Sequence, residues 1–261
     1  MKGKLSPGNI GYVCCIIDIL YKKKSMKALT KTSFFIGIAL LGITSLHAQT
    51  ADDIVQKYIT AVGGKDAIAA VKSLVTETTM QVMGTDVPST TTVLVGKGYK
   101  NEFELNGTKM VQCYNTNGGW ILNAMMGAPT PTALPAEMAK AGLLQLQVDP
   151  LANYAANGYK IELVSHDSAD YKIHMTGSGV DATYYINMKT WLSDKVVTKV
   201  SANGQDTETS ITFSDYRKTD FGVMFPFAMT LDLPQISISI AVKKVTANST
   251  IDPAIFDMPK K

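Results

Sequence analysis

Few residues of this chain are of a type and spacing that could do chemistry. Past residue 48 there is one cysteine, Cys113, and there are two histidines, His166 and His174. Cys113 stands in a strand-like run with Met110, Gln112 and Tyr114. A small apolar residue on a strand face is the simpler reading there than a nucleophile, and no base is tied to it. The histidines fall in a turn and on a strand. There is no HExxH and no paired cysteine or carboxylate at metal-ligand spacing, so no metal site is expected. Gly177-Ser178-Gly179 lacks the form of a nucleophile elbow and reads as a hairpin. The segment VGKGYK, residues 95–100, lacks the spacing of a phosphate loop. Asp52-Asp53 and Asp215 are accounted for by a helix cap and a strand end. The residues therefore point to no catalytic group, no metal and no cofactor.

The positive signal is methionine, thirteen in the chain. Met80, Met110, Met125, Met126, Met138, Met175 and Met229 fall in or near the strand-like segments and the flap between them. Methionine is flexible and polarizable, and suits surfaces that accept variable apolar ligands. Met125-Met126, beside Gly127 and Pro129, is the most pointed case.

These residues need elements to hold them. Residues 51–62 form an amphipathic helix, with Ile54, Val55, Tyr58, Ile59 and Val62 on one face. Thr50 with Asp53 has the form of a capping box, and Gly63-Gly64 ends the helix. From residue 74 the period changes to two and recurs to residue 242, through Tyr99, Phe103 and Leu105, then Ile161 and Leu163, then Ile236, Ile238 and Ile240. Asn106-Gly107, Asn117-Gly118-Gly119, Gly177-Ser178-Gly179 and Asn203-Gly204 mark turns. This predicts about ten or eleven antiparallel strands with one dry and one wet face. Residues 123–158 interrupt the meander, with a helix expected over 135–147, opened by Pro135 and stopped by Asp149-Pro150.

Residues 26–48 read as a signal peptide. Lys27 and Lys31 form the charged region, Phe34 to Leu46 the apolar region, and Ala48 the cleavage position before Gln49. Residues 1–25 read as sequence upstream of a start at Met26. Residues 49–261 then form one domain, exported and soluble in the periplasm. They carry 18 basic and 21 acidic residues, a net charge of −3. No basic patch suggests nucleic acid. With Cys113 as the only cysteine, stability must come from the core and not from disulfides.

DIVQKYITAVGGKDAIAAVKSL at residues 53–74, YNTNGGWILN at 114–123, VDPLANYAANGYKIELV at 148–164, SDYRKTDFGVMFPF at 214–227 and IDPAIFDMPK at 251–260 together resemble the outer-membrane lipoprotein-sorting proteins of Bacteroidota-type bacteria, which are similar to the LolA/LolB lipoprotein carriers. The resemblance covers nearly all of residues 49–261. It implies a mainly β (α+β) fold, a strongly curved antiparallel half-barrel covered by helices. It also implies a periplasmic carrier or chaperone for acyl chains of lipoproteins or other lipids, with no catalysis, with envelope transport proteins as further partners and with transient membrane association. An envelope protein-interaction module using the same curved sheet is the alternative, and a hydrolase the less favoured one. Met80, Val82, Tyr99, Phe103, Met110, Trp120 and Leu122 are expected to face the helices and line a cavity. Met125, Met126, Met138 and Leu143 would be its movable cover. Lys100, Glu102, Glu104 and Lys109 would face water.

Overall fold

The computed structural model describes residues 49–82, 84–202 and 205–259. The expected signal peptide, the upstream segment and the Asn203-Gly204 turn lie outside the described residues.

A helix opens the described chain. In α1 (Ala51–Val62) the Thr50 hydroxyl accepts from the Asp53 N–H while the Asp53 carboxylate accepts from the Thr50 N–H, the reciprocal cap anticipated from sequence. Gly63 closes the helix with φ of 134°. A Cβ there would come within 2.5 Å of the Gly222 carbonyl oxygen, so glycine lets the helix end seat against the loop before Met224. A short α2 (Lys65–Ala70) leads into the sheet.

The sheet has thirteen antiparallel strands: β1 (Ser73–Val82), β2 (Thr85–Leu94), β3 (Gly98–Leu105), β4 (Thr108–Asn115), β5 (Gly118–Asn123), β6 (Ala128–Ala133), β7 (Lys160–His166), β8 (Asp170–Gly177), β9 (Val180–Asn187), β10 (Ser193–Ala202), β11 (Gln205–Lys218), β12 (Met224–Leu233) and β13 (Ile236–Ala247). Every strand pairs with its sequence neighbour, except that β1 also pairs with β13 and no ladder joins β6 to β7. The meander thus joins its own two ends and leaves its gap in the middle of the sequence. β6 was hidden in sequence because APTPTA carries Pro129 and Pro131. Proline lacks a ladder donor and belongs on an edge, which is where β6 lies.

The segment between β6 and β7 holds α3 (Ala136–Ala141), followed by a 3-10 helix over Gly142–Leu146. The single helix expected over 135–147 is therefore split. The split falls at Gly142, where a Cβ would come within 2.3 Å of the Tyr114 ring. α1 touches both β7 and β12, and α3 touches both β5 and β10. Strands so far apart in the order can share one helix only if the sheet curls around it. The result is an antiparallel, unclosed half-barrel whose inner face carries the helices.

Candidate functional site

Directly paired residues in an antiparallel ladder point to the same side of the sheet, so the register sorts every candidate by face. Leu74, Val93, Tyr99, Tyr114 and Gly119 form one continuous row. Leu74, Val93 and Tyr99 pack with the buried side of α1, which identifies the inner face. Met80, Val82, Phe103 and Met110 fall on this face too, as the sequence pattern anticipates.

Trp120 and Leu122 do not. They pair with Cys113 and Val111, and those positions point outward. There they form a second small core with Phe256, from the 3-10 helix Pro253–Phe256. The Phe256 ring lies over Gly98, and its carbonyl oxygen accepts from Trp120 Nε1 at 3.1 Å, from Asn115 Nδ2 at 3.2 Å and from Cys113 Sγ at 3.4 Å. Trp120 and Leu122 anchor the C-terminal segment, and their expected place in an inner lining is corrected. Burial pushes the Cys113 thiol up to about 12, which removes it as a nucleophile.

Lys100 and Glu102 share this outer face and pair with each other, while Glu104 and Lys109 are exposed beside them. On β1–β4, β12 and β13 every Asp, Glu and Lys that has a ladder partner falls at an outer position, and Lys243, skipped by the register, is exposed. The inner face of these strands carries no charge. His174 meets Asp181 at 2.9 Å on the outer face. Among the described residues no group of three or more metal-ligating side chains converges.

The expected cover does not form one unit. Met138 lies on α3 and Leu143 in the following 3-10 helix. Met125 and Met126 sit at the tip between β5 and β6, at the end of β5 opposite to Gly119, whose carbonyl accepts from Leu134 N–H where α3 is about to begin. The two methionines at the tip are 71% and 70% exposed, against 37% for Met138, and Leu143 is half-buried.

The inner face has two parts. The covered part holds α1, α2 and the turn after Asp149, packed on Ile173, Met175, Tyr184 and Ile186. Its tie is polar: the Tyr58 hydroxyl donates to Asp149 Oδ2 at 2.7 Å, and Ala152 N–H donates to Oδ1 at 3.0 Å. Both residues are buried. Burial pushes the Asp149 carboxyl above the usual carboxylate range, against the hydrogen bonds that favour its charged form. Sequence reasoning read Asp149 only as a helix stop and Tyr58 only as an apolar face position. The DP pair preceding a helical turn was the signal available.

The uncovered part lies further along the strands. Met80, Ile240, Met229 and Phe213 run across four strands in register. Ile238, Leu231 and Ile211 form the next row. All except Met80 are half-buried, and none belongs to either core among the described residues. The β11–β13 members were not among the residues singled out from sequence, although ISISIAV carries the alternation plainly. Two surface depressions, around Gln81, Gly84 and Ser237 and around Thr79, Ala228 and Lys243, belong mainly to the outer face, and the second also touches Met229 and Ile240. No helix among the described residues is long and apolar enough to cross a membrane.

No protein-family model matches the chain, and no curated protein does. Solved structures do. A LolA superfamily protein from Nitrosomonas europaea matches with a TM-score of 0.52 at 11% identity, over 80% of this chain and 97% of that one. A putative outer membrane lipoprotein-sorting protein domain from Vibrio parahaemolyticus matches with a TM-score of 0.51 at 11% identity, over 79% of this chain and 97% of its own. At this identity the likeness is one of fold, and it shows that the unclosed thirteen-stranded sheet with its inner helices is a LolA-like half-barrel.

Proposed function

We propose that this protein is a periplasmic carrier or chaperone that holds acyl chains of a lipoprotein or lipid on the uncovered part of its inner face, without catalysis. The observation that carries the reading is the pair of rows from Met80 to Phe213 and from Ile238 to Ile211, apolar, uncharged and mostly half-buried. A monomeric surface rarely leaves such a patch without use. The names of the two fold neighbours, a LolA superfamily protein and a lipoprotein-sorting domain, point the same way. Export by the segment before Gln49 is part of the same reading.

Burying a methylene is worth about 0.8 kcal/mol. Covering about fifteen of them gives about 12 kcal/mol, and an association cost of about 4 kcal/mol leaves about −8 kcal/mol, which is micromolar binding. The test is titration of a fluorescent fatty-acyl probe. Wild-type protein is expected to bind it at micromolar concentration. Phe103→Asp, on the inner face, is expected to weaken binding more than Glu102→Asp on the outer face. Equal binding by both variants, or none by folded wild type, contradicts the reading and favours a protein-interaction module on the same sheet.

A further inference from the structure

A third zone separates the covered and uncovered parts of the inner face on β1–β3. Thr76, Thr91 and Asn101 pair across three strands, and Thr78 pairs with Ser89 beside them. Thr76, Thr78 and Ser89 are buried, while Thr91 and Asn101 are half-buried. The Asn101 amide donates to Ser89 Oγ at 2.8 Å and to Thr91 Oγ1 at 2.9 Å. These bonds tie Asn101, Ser89 and Thr91 together, with Thr76 and Thr78 beside them in the ladder. They leave the Asn101 carbonyl oxygen and the Thr76 hydroxyl without a hydrogen-bond partner among the described residues. Phe103 and Met110 continue the Thr78–Ser89 row and bring apolar surface directly against the array.

Bare hydrocarbon laid over such groups would strip them of water and return no hydrogen bond. A ligand anion would fare worse, since the inner face of these strands offers no Lys or Arg to meet a carboxylate or phosphate. A neutral linkage satisfies both conditions. An ester, amide or hydroxyl can accept from the Thr76 hydroxyl and, where it has a hydrogen, donate to the Asn101 carbonyl.

Resting on the carrier reading, we propose that this array is the binding site for the uncharged polar end of an acyl lipid. The preferred ligand class is a neutral acyl ester, amide or alcohol bound with its polar group inward and its chain along Met80, Ile240 and Phe213. Free fatty acids and hydrocarbons bind less well.

Three probes of equal chain length test this: monoolein, oleate at about pH 8, where its carboxyl is ionised, and 1-octadecene. Each competes against a fluorescent acyl probe on the purified full-length protein. Monoolein is expected to displace the probe at a concentration about tenfold lower than either of the others, the discrimination that one added hydrogen bond supplies. Asn101→Leu is expected to abolish that preference while leaving octadecene unchanged. Thr76→Val, nearly isosteric, reduces the preference several-fold and serves where Asn101→Leu lowers the melting temperature. Equal affinity of the wild type for monoolein and octadecene, or a preference that survives both substitutions, overturns this site and leaves the carrier reading standing. Failure of all three probes on folded wild type overturns both.

Discussion

The covered and uncovered parts of the inner face are built from similar residues and are used differently. Ile173 and Ile186 are fully buried under α1 and the turn after Asp149. Ile238 and Ile240 have the same side chain and the same inward direction, and stay half-buried. What separates them is the helix, not the sheet. α1 spends its single apolar stripe on the covered part, and among the described residues no second stripe lies over the remaining rows. Among the described residues the sheet presents more apolar surface than its helices cover, and that surplus is what a ligand can use.

The largest difference is expected in stability. Ile173→Ala should cost about 2–5 kcal/mol, because a packed site cannot collapse around the lost methylenes. Ile238→Ala should cost less than about 1 kcal/mol, since little is packed against it to lose. Urea unfolding of the two variants measures this, and similar costs would erase the distinction between the parts.

The next effect concerns ligand. Phe213 and Thr212 are adjacent on β11 and point to opposite faces. Phe213→Asp is expected to weaken acyl-probe binding at least about tenfold by placing a charge against apolar chain. Thr212→Asp, on the exposed outer side, should leave binding within about twofold. A larger loss from Thr212→Asp would mean that the faces have been assigned the wrong way round.

A smaller effect follows from Asp149. Its carboxyl titrates above the usual value in the folded protein, so the native state holds its proton more tightly than the unfolded chain. The resulting stabilisation is fully present below about pH 4 and is lost as pH rises through the raised value. Asp149→Asn keeps a neutral group there. Its melting temperature relative to wild type should therefore improve from about pH 4 to pH 8. A constant difference across that range contradicts the assignment.

The smallest expected signal is from Cys113, fully buried under Phe256 with its thiol pushed up to about 12. It should react with a thiol reagent only upon unfolding, at a rate that Phe256→Ala raises.

Much of this architecture was legible in the sequence. The capping box at Thr50, the Asn106-Gly107 hairpin with both residues at positive φ, and the alternation along β1, β3 and β13 follow from local chemistry. Other features depend on contacts distant in sequence. The β1–β13 ladder joins strands more than 150 residues apart in sequence, and no local pattern announces it. Trp120 and Leu122 were placed inward because they alternate. Alternation shows that two faces differ but not which is inside, and β4 and β5 carry apolar side chains on both. The polar array of Thr76, Ser89 and Asn101 emerges only once the register aligns residues from three strands.

The claim that the uncovered rows hold acyl chains is tested most directly by native mass spectrometry of the protein recovered from the cell envelope of its source organism, wild type beside Phe213→Asp. Wild type is expected to carry an acyl-lipid adduct that the variant, equally folded, has lost. Wild-type protein free of adduct that also fails to take up added acyl lipid, or a variant that keeps the adduct undiminished, would contradict the account.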